Sequence, residues 1–200
     1  MENDFMPEPV ENYGMAYTIP SYVVLEEGDR LFFLAKQSKI GIIEIGSWLG
    51  RSSCILAEGS KQGSYKKVIC VDKWIDFIPA EEFPDCLARF IKATENYRYE
   101  QLLEHYVGES VTISKTIDSK ADLIFIDACH EYDSVKSDIE AWLPHCEGDW
   151  VMAFHDYCMQ PWLGVTKAVN EYFEDFDVVR SLAICRKENL KKKWKKLLRK

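Results

Sequence analysis

The stretch Ile42-Ile43-Glu44-Ile45-Gly46-Ser47-Trp48-Leu49-Gly50-Arg51-Ser52-Ser53 is an apolar run that meets an acidic residue and two glycines and then opens a helix. It reads as the ligand end of a strand in an α/β sheet. Glycines let the backbone turn tightly and approach a ligand where a Cβ would intrude. A carboxylate two residues before the first glycine sits where the strand emerges, which suits a nucleoside carrying a short polar tail. The dinucleotide fingerprint asks for further glycines two and five positions on. Trp48 stands at the first of these and Ser52 near the second, so NAD is disfavoured.

The second half of the chain repeats the design. Ala121 to Tyr132 is an apolar strand that delivers Asp127 at its tip and His130 just beyond, and Val151 to Tyr157 ends in His155-Asp156. Ligands in open α/β sheets bind beyond the carboxyl ends of the strands, so Glu44, Asp127, His155 and Asp156 are expected around one crevice.

Strand and helix signals alternate along the chain. A helix is expected within Tyr22 to Lys36, strands at Ile40 to Ile45 and Val68 to Val71, and between them a helix through Leu56 that Gly59 stops. Asp85 caps a helix through Leu87, Phe90 and Ile91, and another covers Glu100 to about His105. Strands follow at Tyr106 to Gly108, Asp122 to Ile126 and Val151 to Phe154, with helices at Asp133 to Leu143 and Gly164 to Phe173. Val178-Val179 and Leu182 to Cys185 close as an antiparallel pair. The expected fold is a Rossmann-like, doubly wound α/β sheet, mostly parallel, with an antiparallel last strand and helices on both faces.

At 200 residues, 47% hydrophobic and 29% charged, the chain suits one soluble domain. Its longest apolar runs fall far short of the roughly 20 residues of a membrane span. The acidic N-terminus, with neither basic leader nor apolar signal core, favours a cytoplasmic location. Seven cysteines without a C-x-x-C spacing argue against a zinc ribbon or a disulfide framework. The net charge of −8 is uneven. Arg186 to Lys200 holds nine Lys/Arg against one Glu, which leaves −16 on residues 1–185. Such a body is unsuited to nucleic acid, because phosphate contacts need clustered Lys/Arg. The chain therefore divides into an arm at 1–19, a domain at 20–185 and a basic tail at 186–200. Leu190, Trp194, Leu197 and Leu198 share one helical face of the tail, a pattern fitted to an anionic membrane or an acidic partner.

With strand ends Glu44-x-Gly46-x-x-x-Gly50, Asp72 and Asp127-x-x-His130, followed by Phe154-His-Asp-Tyr, the chain resembles class I S-adenosylmethionine-dependent methyltransferases, and more narrowly the macrocin O-methyltransferase-like group, in a catechol O-methyltransferase-like layout. The resemblance spans roughly Pro20 to Cys185. It implies S-adenosylmethionine as cofactor, held by Glu44, Gly46, Ser47 and Gly50 at its methionine end, by Asp72 at the ribose and by Ser110 at the adenine, with Asp127 beside it. It implies His130 as general base, with Asp127, for O-methylation of a small-molecule acceptor such as a sugar or a phenol. It also implies a divalent cation, magnesium, at Asp127, His155 and Asp156, although imidazole is a poor partner for that ion. A homo-oligomer is left open. The alternative function is a non-catalytic cofactor-binding module that works in an assembly through its basic tail.

Overall fold

The computed structural model describes residues 16–74 and 85–199. The chain builds one seven-stranded sheet from β1 (Ile42–Ile45), β2 (Val68–Asp72), β3 (Leu103–Val107), β4 (Ala121–Ile126), β5 (Cys146–Phe154), β6 (Asp177–Val179) and β7 (Leu182–Arg186). Their order is β3-β2-β1-β4-β5-β7-β6. The first five are parallel, and β7 runs antiparallel to both of its neighbours. Parallel strands covered on both faces read as unbroken apolar runs. Accordingly Ile42, Ile43, Ile45, Leu123, Ile124, Phe125 and Ile126 are all buried.

Helices α1 (Leu25–Gln37), α2 (Arg51–Gln62) and α3 (Cys86–Ala93) cover one face through Leu31, Phe32, Ile55, Leu56 and Phe90. Two short helices, α4 (Glu95–Tyr99) and α5 (Ser110–Ile113), flank β3. The other face is covered by α6 (Tyr132–Trp142) and α7 (Leu163–Tyr172) through Val135, Ile139, Trp142, Val165 and Val169. The chain winds outward from β1 to β3, then returns to place β4 on the other side of β1. The reversal opens a crevice at the carboxyl ends of β1 and β4, where such sheets bind ligands.

Several boundaries differ from the sequence expectation. Gly59 does not stop α2. Its ideal Cβ would lie 2.4 Å from the Phe32 carbonyl oxygen, so the glycine is there to let α1 and α2 pack closely within a helix that continues to Gln62. The helix expected from Glu100 lies earlier, at Glu95–Tyr99, and β3 takes over from Leu103 because that segment pairs with β2. β5 begins at Cys146 and carries Gly148 at φ +70°.

The tail also differs. Lys192–Arg199 forms 3-10 turns, and its apolar side is turned inward. The Trp194 ring stacks on Tyr172 with centroids 4.4 Å apart, its Nε1 donates to the Glu171 carbonyl, and Leu190 and Leu197 are buried. The apolar face that was expected to meet a membrane or a partner is covered by the chain's own core. Of the expected arm, residues 1–15 lie outside the described residues. No helix among the described residues is long and apolar enough to cross a membrane.

Candidate active site

The glycine loop is shaped by contacts that only glycine allows. Gly46 has φ +88°, and a Cβ there would lie 2.1 Å from the Asp127 carbonyl oxygen, so the loop after β1 presses directly on the tip of β4. Gly50, at φ +93°, precedes the first turn of α2. Glu44 was expected to line the crevice. Instead its side chain is wholly buried under the loop, where one carboxylate oxygen accepts hydrogen bonds from Ser47 Oγ at 2.6 Å and from Ser53. Burial pushes its pKa up, against the hydroxyl donors that lower it. Glu44 therefore supports the loop from below.

Asp72, at the tip of β2, accepts backbone N–H bonds from Ser47 (2.9 Å) and Trp48 (2.8 Å) on one oxygen and from Trp74 (2.8 Å) on the other. It ties the loop to the neighbouring strand. Ser110 opens α5 after β3, and its Oγ accepts the indole N–H of Trp142 at 2.7 Å while bonding to Asp138. Burial pushes the Asp138 carboxyl up to about 6, although the Ser110 bond and Lys73 pull the other way.

The structure brings together Asp127, His130 and Asp156, whose ligand atoms all lie within 4.8 Å of one another. His130 Nε2 is 2.9 Å from Asp156 Oδ2 and 3.9 Å from Asp127 Oδ1. Asp156 sits at φ +59°, a left-handed conformation that few side chains adopt, and it turns the carboxylate at the end of β5 toward His130. Burial draws the His130 pKa down, but bonds to Asp127 and Asp156 and their charges outweigh it and push the imidazole up to about 9. The same contacts hold Asp156 well below the usual carboxylate range against the effect of its burial. The Trp162 ring lies 4.7 Å from the His130 ring, at the rim.

His155 approaches the same two carboxylates from the buried side. Its side chain is 3% exposed and its Nε2 is 3.0 Å from Glu27 Oε2, so the ring lies beneath the cluster. Its Nδ1 is 3.3 Å from both Asp127 Oδ1 and Asp156 Oδ2. Asp127, Asp156 and the half-buried imidazole of His130 each turn one possible ligand atom toward the others.

Two participants escaped the sequence reading. Glu27 is one; its signal was a carboxylate on the buried stripe of α1, in register with Leu31 and Ala35. Arg51 is the other. Its guanidinium donates to the carbonyls of Ile19 (2.7 Å), Val23 (3.0 Å) and Tyr17 (3.3 Å), clasping the segment before α1 to the start of α2. Tyr22 from that segment stacks on Trp48 of the glycine loop with centroids 5.8 Å apart.

The fold recurs in solved structures. The structure of the methyltransferase PaMTH1 from Podospora anserina, bound to S-adenosylhomocysteine, superposes with a TM-score of 0.66 at 16% identity over 92% of this chain and 88% of that one. The O-methyltransferase TomG from Streptomyces achromogenes, in complex with S-adenosylmethionine, gives 0.59 at 19% identity over 84% and 80%. CalS11, a TDP-rhamnose 3'-O-methyltransferase of calicheamicin biosynthesis, gives 0.57 at 16% identity over 80% and 76%. No curated protein sequence matches the chain. The profile of the methyltransferase domain family does match, over residues 43–157, from the first strand through the Asp127 and Asp156 tips, and the chain belongs to that family of class I methyltransferases.

Proposed function

We propose that the protein transfers a methyl group from S-adenosylmethionine to a hydroxyl of a sugar or another small-molecule acceptor, with His130 as general base. The observation that carries this reading is the His130 imidazole 2.9 Å from Asp156, at strand tips beside the glycine loop. S-adenosylmethionine, when bound, supplies an electrophilic methyl on a sulfonium. The chain's own residues must hold it and remove a proton from the acceptor. Gly46, Ser47 and Gly50 would hold its methionine end, Ser110 the adenine and Asp72 the ribose. An ionised carboxylate offers about four lone-pair sites. Three backbone amides occupy Asp72, so one ribose hydroxyl fits without rearrangement and a second displaces an amide.

His130 acts through its tautomer. Donation from Nε2 to Asp156 leaves the Nδ1 lone pair to take the acceptor proton, the division of labour that a carboxylate-oriented imidazole performs elsewhere. A divalent cation is compatible with Asp127 and Asp156. When bound it supplies Lewis acidity that orients the acceptor oxygen and makes it more acidic. His155 keeps Nε2 on Glu27 and turns Nδ1 toward both carboxylates. The assembly-module alternative gains no support from the tail, whose apolar side is spent on the chain's own core.

The test pairs calorimetric titration of S-adenosylhomocysteine with mass-spectrometric turnover on a panel of sugars and phenols. His130→Ala should bind S-adenosylhomocysteine like the unaltered protein and turn over slower by roughly 10²–10⁴-fold. Unchanged turnover would remove His130 from the chemistry, and a failure to bind S-adenosylhomocysteine would remove the cofactor reading itself.

A further inference from the structure

Glu27 is 1% exposed and comes from α1, outside every strand tip that forms the crevice. Its carboxylate is nonetheless saturated. One oxygen accepts from Val24 N (3.0 Å) and faces His155 Nε2 (3.0 Å), and the other accepts from Ser181 N (2.8 Å) and Ser181 Oγ (2.7 Å). A buried charged pair is a weak way to stabilise a fold, because removing both groups from water offsets most of their attraction. α1 is also anchored by the apolar side chains of Leu31, Phe32 and Ala35. What the carboxylate does fix is a ring. With Nε2 held on Glu27, His155 presents Nδ1 at equal 3.3 Å distances to Asp127 on β4 and Asp156 on β5. Asp156 in turn contacts His130.

We propose that Glu27 is a positioning residue for methyl transfer: through His155 it sets the spacing and orientation of Asp127 and Asp156, and through Asp156 the orientation of the His130 ring. This rests on the reading of Asp127, His130 and Asp156 as the reacting cluster. Glu27 touches neither solvent nor the crevice, so its effect reaches the chemistry through what it holds: His155 directly, and Ser181, whose carbonyl accepts Tyr157 N next to Asp156. Partners that orient a functional group from behind alter turnover by about 10–100-fold when replaced, with little change in what binds in front.

The experiment compares Glu27→Gln with Glu26→Gln, which removes the same charge one residue away, in the exposed pair with Arg180. Glu27→Gln should bind S-adenosylhomocysteine within about twofold of the unaltered protein and leave the KM for S-adenosylmethionine unchanged, while kcat falls by about 10–100-fold. Glu26→Gln should leave kcat unchanged. Imidazole ¹⁵N spectra provide the readout that a merely structural role would not move. In the unaltered protein His155 Nε2 should carry a proton, and in Glu27→Gln the ring signals of His130, which does not touch Glu27, should change as well. If Glu27→Gln does not fold, the unaltered protein decides the matter: an unprotonated Nε2 on His155 overturns the proposal. So does full kcat in a folded Glu27→Gln protein while His130→Ala is crippled, an outcome that leaves the function standing. Failure of the underlying reading is seen separately: as no binding of S-adenosylhomocysteine for the cofactor, and as unchanged turnover in His130→Ala for the base.

Discussion

The carboxylates of Asp127 and Asp156 share the imidazoles of His130 and His155. His130 illustrates the consequence. Its imidazole, pushed up to about 9 by Asp127 and Asp156, is protonated at neutral pH and serves as a base only after it sheds that proton. Without added metal, kcat should rise about tenfold per pH unit from about 7 and level off near 9. A divalent cation on Asp127 and Asp156 would withdraw the carboxylates that stabilise the imidazolium, so titrating in magnesium or manganese should move the midpoint to lower pH. A profile that is the same after exhaustive chelation and after metal addition would dismiss the cation and leave the base in place. Asp127, His130, Asp156, Asp72 and the two glycines were legible because each stands at a strand end, where residue type and position carry the chemistry. Glu27 and Arg51 were not, because their partners lie 128 and 28–34 residues away along the chain. Glu44 and His155 were legible as ionisable groups but not as buried ones, since sequence does not tell which side of a loop a carboxylate faces.

Among the elements, the strands of the sheet interior were the most legible, and the short pieces around β3 the least. Ile42 to Ile45 and Leu123 to Ile126 are apolar apart from Glu44, the pattern of strands covered on both faces. Glu95 to Val107 has no such run, and tertiary pairing with β2 decides where helix ends and strand begins. The α6 helix carries a liability of its own in Asp138, which is 5% exposed and bonded to Ser110. Because its folded pKa of about 6 lies above the usual value near 4, its contribution to stability is fully present below about pH 4 and is lost as pH rises through about 6. The difference amounts to about 3 kcal/mol at 1.36 kcal/mol per tenfold change in proton affinity. Asp138→Asn should accordingly gain on the unaltered protein by about that much between pH 4 and pH 7 in urea unfolding. A pH-independent difference between the two proteins would show that Asp138 ionises as readily folded as unfolded.

At the scale of the whole molecule, the family fold places the crevice at one edge of the sheet and leaves the tail at the other, against the Leu143–His145 turn that leads into the start of β5. The amphipathic pattern of the tail was read correctly as a pattern, but an apolar stripe does not say what it will cover, and here it covers α7 of its own chain. The inward turn of Trp194 and Leu197 leaves Lys192, Lys193, Lys195 and Lys196 exposed together on a body that carries −16. The molecule is thus electrically polar, with a fixed cationic pole despite a net charge of −8. A protein of that net charge should pass through a sulfonate column at pH 7, yet this one should be retained at low ionic strength and released within the range where the Debye length shrinks from about 30 to about 10 Å. Replacing those four lysines by glutamine should abolish retention without lowering the melting temperature, whereas Trp194→Ala should release the whole segment and blur the elution. A folded-down basic tail gives this enzyme a fixed orientation in an electric field.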